Sequence, residues 1–313
     1  MEHGIKGPAY LFFAFTLAGT SVVAARYVTG KLGIFTITSI SLFFALLFLI
    51  LRYRRRIFPI AFRLSIREYM YLALQAICGI FLFRMFLLAG LRGTSSGEAG
   101  ILTSVTPSIT AVLAILFLKE RAGAGKLAGI ALTIAGVLLI QGILLPGGAF
   151  SAGHIGGNML VICAASSEAL FNILSRSFAV KGRESPRPVL EPPVQTAIVS
   201  FMAFMLCLVP ALWENPLARL CAVGPAGWLA LAWYGVFVTA LAFICWYEGI
   251  LRCGALTAAA FSGMMPFTSA LLSYLILGEG LGIVQLSGGI LIAGGMVLLG
   301  VSAARENAVR RDA

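Results

Sequence analysis

Runs of about 20 mostly apolar residues follow one another almost without interruption along this chain. They lie at 8–28, 34–51, 69–91, 96–118, 125–144, 155–176, 193–213, 226–250, 255–277 and 282–303. Roughly 20 apolar residues are what a helix needs to cross the hydrocarbon core of a bilayer. Backbone polar groups inside lipid find no water, so each run must satisfy its own hydrogen bonds as a helix. A membrane β-barrel would alternate apolar and polar residues over strands of about 10. These runs are continuously apolar, and ten membrane-spanning helices are expected.

The polar residues support that count. Only 11% of the 313 residues are charged, against about 25% in soluble domains. The net charge of +11 does not point to nucleic acid, because the basic residues cluster in the short connections. Taking the two termini and the connections alternately, one side of the membrane collects 18 Lys and Arg residues and the other three. Lys31, Arg92 and Arg219 make up the poorer side. Positive charge stays in the cytoplasm. A multi-pass inner-membrane protein with both termini cytoplasmic is therefore expected. Trp213 and Trp228 fall at outer ends of runs, where indole rings anchor helices at the interface. The six cysteines form no CxxC pair and His3 and His154 are isolated, so no metal site and no cofactor are expected. No GxxxxGK[ST] phosphate loop is present, which argues against direct drive by ATP.

The chain also resembles itself at an offset of 159 residues. Pro107 matches Pro266, Glu120 matches Glu279, Gly90 matches Gly249, Gly129 matches Gly288 and Gly136 matches Gly295. Leu and Ala matches are cheap in a membrane chain, but Pro and Glu matches are not. Each half holds five runs, an odd number, so the halves enter the membrane from opposite sides. The expected architecture is all-α, with ten helices as two inverted five-helix repeats at residues 7–144 and 155–304. Inverted repeats are a recurrent transporter design, with the substrate bound near the midplane where the halves meet.

The segment that closes each half reads SSGEAGILTSVTPSITAVLAILFLKERAGAGKLAGIALTIAGVLLI and GALTAAAFSGMMPFTSALLSYLILGEGLGIVQLSGGILIAGGMVLLG. A mid-run Pro, an acidic residue ending that run and a Gly-rich final helix recur in both. This pattern resembles the EamA-type domain of the drug/metabolite transporter superfamily. The resemblance implies a secondary transporter, not an enzyme, that exports metabolites, amino acids or drugs by alternating access. An importer or exchanger of the same fold, or a lipid-flipping or lipid-modifying membrane protein, is the alternative.

Charged residues within spans are costly and usually face a cavity or the bundle interior. Arg84 is 16th of the 23 residues in the third run, and Glu98 lies near the start of the fourth. The two are expected to converge near the outer mouth of a central cavity. Glu168 is 14th of 22 in the sixth run, near the midplane, with Asn172 and Ser175 on the same helical face. Thr106 and Thr110 follow Glu98 along one face of the fourth run. Glu168, Asn172, Arg84, Glu98, Thr106 and Thr110 are therefore the expected substrate-binding residues. Glu168 is expected to bind substrate or carry a coupled proton, with a buried pair to Arg84 as the bland alternative. Pro107 and Pro266 break helical hydrogen bonding and are the expected hinges. The expected partners are a small-molecule substrate, the lipid bilayer and protons, with the chain as a monomer or homodimer. Glu248 lies four residues before Arg252 and is expected to pair with it or reach the interface.

Overall fold

The computed structural model describes residues 2–28, 31–91, 93, 105–119, 123–140, 152–184, 190–216, 220–221, 223–277 and 283–312. The first expected span divides after Gly19 into α1 (Glu2–Gly19) and α2 (Ser21–Arg26). The second is α3 (Ile34–Ala61). The third is continuous from α4 (Ile66–Ala76) through a π-helical turn at Ile77–Leu82 into α5 (Phe83–Leu91). Next come α6 (Thr106–Leu118), α7 (Ala124–Ile140), α8 (Ile155–Glu184) and α9 (Pro192–Trp213). The eighth expected span runs from α10 (Pro225–Trp233) through a second π-helical stretch, Tyr234–Leu241, into α11 (Ala242–Cys253). The ninth divides into α12 (Ala255–Phe261) and α13 (Met264–Leu277), and α14 (Ile283–Asp312) closes the chain.

Among the described residues, five stretches are long and apolar enough by themselves to cross a membrane: Ile34–Ala61, Ile66–Leu87, Ile155–Val180, Pro192–Trp213 and Pro225–Cys253. Shorter apolar helices accompany them. The way side chains divide between inside and outside agrees with lipid as the solvent. On α3 the small polar residues Thr36, Thr38, Ser39 and Ser41 are buried, while Phe43 and Leu51 are 53% and 72% exposed. A soluble protein would not present such apolar surface on most of its helices. In lipid there is no hydrophobic force between helices, so small residues that allow close approach are favoured where helices touch.

Two pairings organise the bundle. α3 packs against α9 along its length. Glu214, just past the end of α9, accepts hydrogen bonds from the backbone N–H groups of Phe35 and Thr36 (3.2 and 2.8 Å) and from Thr36 Oγ1 (2.8 Å). Those N–H groups open α3 and have no partner within the helix. Gly33 supplies no capping side chain, and a Cβ there would overlap the Glu214 carboxylate. At the other end Arg56 pairs with Glu191 at 2.9 Å, immediately before α9. The two helices are therefore antiparallel.

The second pairing joins α7 to α14. A Cβ at Gly136 would stand 2.6 Å from the Gly288 carbonyl oxygen, and one at Gly295 2.7 Å from the Gly129 carbonyl oxygen. Real Cβ contacts are never so short, so glycine is required at both positions for this approach. These helices are also antiparallel, and the contact is reciprocal: Gly129 and Gly136 are the sequence matches of Gly288 and Gly295. Other contacts recur in the same way. α5 lies on α8 and α11 on α1; α6 lies on α8 and α13 on α1. Gly90 of α5 approaches Gly157 and Val161 of α8, while its match Gly249 of α11 approaches Leu11 of α1.

Pro107 is the second residue of α6 and Pro266 the third of α13. A first-turn proline lacks an N–H that would have had no helical partner. Each proline thus begins a helical segment instead of bending one already under way. Glu120 and Glu279 lie outside the described residues.

Candidate functional site

Where the halves meet, α1, α3, α5, α8, α11 and the two π-helical stretches surround a cavity of about 180 Å³. π-Helical turns widen a helix locally and recur at functional sites. Here each carries its chain onto the cavity wall. Gly79 and Ile80 line it from the first, Val238 and Thr239 from the second, followed by Phe83 and Arg84 on one side and Ala242 and Phe243 on the other. These four pairs all stand at the offset of 159.

Three of the residues expected to bind substrate line the cavity directly: Arg84, Glu168 and Asn172. Arg84 donates from Nη1 to Thr38 Oγ1 at 2.6 Å and from Nη2 to the Tyr234 hydroxyl at 3.0 Å. Its guanidinium carbon is 5.3 Å from the centre of the Tyr234 ring. Glu168, midway along α8, accepts from Thr106 Oγ1 at 3.2 Å. Asn172, one turn on, donates from Nδ2 to Thr110 Oγ1 at 3.3 Å. Thr106 and Thr110 are buried and do not border the cavity; they hold the two side chains that do. Among the described residues Arg84 and Glu168 form no ion pair, with each other or with another residue. Glu98 lies outside the described residues. Glu248 pairs with Arg252 at 2.7 Å, one turn apart at the end of α11.

The rest of the wall is apolar and aromatic. Phe171 stacks on Trp246 with ring centroids 4.8 Å apart and planes at 21°, and Phe243 lies 5.9 Å from Phe171. Beyond this stack sits a buried polar cluster. Tyr247 donates to Gln75 Oε1 at 3.0 Å, and Gln195 Nε2 donates to the same oxygen at 2.9 Å.

Sequence reasoning overlooked Thr38, Tyr234, the aromatic stack and the Gln75 cluster. Thr38 carried a weak signal, as one of several hydroxyl residues crowded into the start of an apolar run. Tyr234 and Phe171 carried none, since aromatics are common in spans and nothing local marks which face meets an Arg.

The EamA-like transporter family model matches residues 5–142 and again 155–301. The chain belongs to the EamA-like transporter family. It is similar to the uncharacterized transporter YetK of Bacillus subtilis, at 29% identity over 90% of this chain and 83% of that protein. The probable amino-acid metabolite efflux pump of Salmonella typhimurium is 27% identical over 66% of this chain and 68% of its own. The aromatic amino acid exporter YddG of Ancylobacter novellus is 24% identical over 63% and 64%. A solved crystal structure shares the fold, with a TM-score of 0.76 over 96% of this chain and 98% of that one, at 20% identity. The chain is thus a multi-pass membrane transporter and not an enzyme, and the cavity between its halves is the candidate transport site.

Proposed function

We propose that this EamA-family chain is a secondary transporter that exports small metabolites across the inner membrane by alternating access. In this reading, ten spans form two inverted five-helix repeats, residues 7–144 and 155–304, with both termini cytoplasmic. The antiparallel contacts of α3 with α9 and of α7 with α14 support the inversion, since each joins corresponding spans of the two halves. The excess of basic residues on alternate connections supports the orientation.

One observation carries the functional reading. The chain's own internal repeat lines a single cavity from both sides, and Glu168 and Arg84 face it. Charges within spans mark substrate and ion paths. The cavity of about 180 Å³ is smaller than the roughly 300–1,000 Å³ of sites for drug-sized ligands, which favours metabolites over drugs. Relatives named for amino-acid efflux agree with that size. An ionised carboxylate at this depth costs roughly 2.5–3.5 kcal/mol on insertion scales. When substrate leaves, Glu168 needs a counter-charge or a proton, and this is how a proton gradient couples to export. Pro107 and Pro266, at the starts of corresponding helical segments, are the proposed hinges.

The test is counterflow into proteoliposomes across a panel of amino acids, amines and lipophilic cations. At least one class should accumulate above protein-free liposomes. Glu168→Gln should lower its transport more than ~10-fold while eluting like the wild type in gel filtration. A Glu168→Gln protein that transports normally would remove the carboxylate from the mechanism, and no transport of any class would overturn the reading. Cysteine labelling after Arg56 and after Pro146 should report opposite sides of the membrane.

A further inference from the structure

The charges of the cavity are arranged for a particular kind of ligand, and the argument rests on the transport reading above. Among the described residues Arg84 holds only neutral partners, Thr38 and Tyr234. These use two of the five N–H groups of a guanidinium. Glu168 likewise holds one neutral partner, Thr106. A positive and a negative group thus face the same small cavity from different helices, without an ion pair joining them. Leaving either uncompensated in a low-dielectric interior is costly. A monocation would satisfy Glu168 and strand Arg84, and a monoanion would do the reverse. A ligand bearing both charges satisfies both at once.

The internal repeat sharpens the point. The partner of Arg84 at the offset of 159 is Phe243. For α1 and α8 the offset is 150, because Leu11 meets Gly249 where Val161 meets Gly90. That offset makes Ala18 the partner of Glu168. Ala18 and Phe243 both line the cavity too. Each half therefore contributes one charge, of opposite sign and at a non-equivalent position, to a cavity that both halves line. A cavity made chemically polar in this way suits a ligand that is itself polar end to end.

We infer that the cavity is a zwitterion site: Arg84 takes the ligand's carboxylate, Glu168 takes its ammonium, and the Phe171–Trp246 stack with Phe243 receives an apolar side chain. A planar guanidinium binds a carboxylate through two parallel hydrogen bonds. The aromatic wall offers offset stacking or simple apolar contact. The ligand class is an α-amino acid, or a molecule of equal charge pattern, with a side chain that fills the apolar wall.

The probes are phenylalanine, phenethylamine, which lacks the carboxylate, and 3-phenylpropionate, which lacks the ammonium. Each competes for counterflow or for ligand-induced thermal stabilisation of the purified protein. Wild type should prefer phenylalanine over either analogue by at least ~10-fold. Arg84→Gln should erase the preference over phenethylamine while leaving phenethylamine binding within about threefold. Glu168→Gln should erase the preference over 3-phenylpropionate. Wild type that binds phenethylamine as well as phenylalanine would make this a cation site and overturn the inference. So would an Arg84→Gln protein that loses both ligands alike, since Arg84 would then only hold the helices. Binding of none of the three, beside transport of another panel compound, would overturn the zwitterion site and leave the transporter reading standing.

Discussion

The two halves of this molecule agree where they pack and differ where they face the cavity. Gly129, Gly136, Gly288 and Gly295 form a reciprocal contact between α7 and α14 in which each half uses the same residue for the same approach. On the cavity wall the match at Arg84 is a phenylalanine and the match at Glu168 an alanine. Backbone contact tolerates only glycine, so any change there disrupts packing at once. A cavity wall has space beside it, so matched positions there can hold different side chains, here two of opposite charge. Matched glycines bring the helices together, and unmatched positions put the charges on the cavity wall.

The largest expected effect tests the agreement. Gly136→Ala and Gly295→Ala each force a Cβ against a carbonyl oxygen of the opposite helix and should destabilise by about 1–3 kcal/mol. Thermal unfolding in detergent should show losses equal within error. A tolerant substitution on one side and a damaging one on the other would break the reciprocity.

The next effect tests the difference. Arg84→Phe makes the two halves alike at this position and should weaken substrate binding by about 1.4 kcal/mol or more, tenfold in affinity. Phe243→Leu keeps an apolar wall and should change affinity by less than about threefold. Equal losses from both, measured by competition in counterflow, would mean that the charge carries no special weight.

A smaller contrast concerns the two ends of the α3–α9 pair. Glu214 satisfies otherwise orphaned N–H groups of α3, and Glu214→Gln should cost about 1–2 kcal/mol in thermal unfolding. At the opposite end the Arg56–Glu191 pair is solvent-facing, with side chains 62% and 45% exposed. Glu191→Gln should cost less than about 1 kcal/mol and less still at high salt. A larger loss at Glu191 than at Glu214 would reverse the ranking of cap over surface pair.

Much of the fold and part of the site were legible in the sequence. Apolar runs mark the described helices, five of them long enough to cross a membrane, because lipid leaves the backbone no other way to satisfy its hydrogen bonds. Glu168 and Arg84 stood out because charge is rare and costly inside a span. The i+4 relation of Glu168 to Asn172, and of Thr106 to Thr110, followed from the helical period. The breaks within spans were not legible. Neither π-helical stretch has a composition that sets it apart from its flanks, and the division between α12 and α13 lies in a continuously apolar run.

What the sequence determined by itself is the solvent, the helical class, the family and the short list of costly polar residues. Each depends on a property that a residue carries with it: its hydropathy, its charge or its place in a repeat. Only the tertiary structure decided which helices are neighbours. It brought Thr106 to Glu168 and Thr110 to Asn172 across 62 residues, and Tyr234 to Arg84 across 150. It set Phe171 on Trp246 and gathered side chains of both halves around one space. The helical period says which residues share a face of one helix. Which face meets which is decided by how closely the backbones can approach, and that is a property of pairs of helices and not of any one stretch of chain.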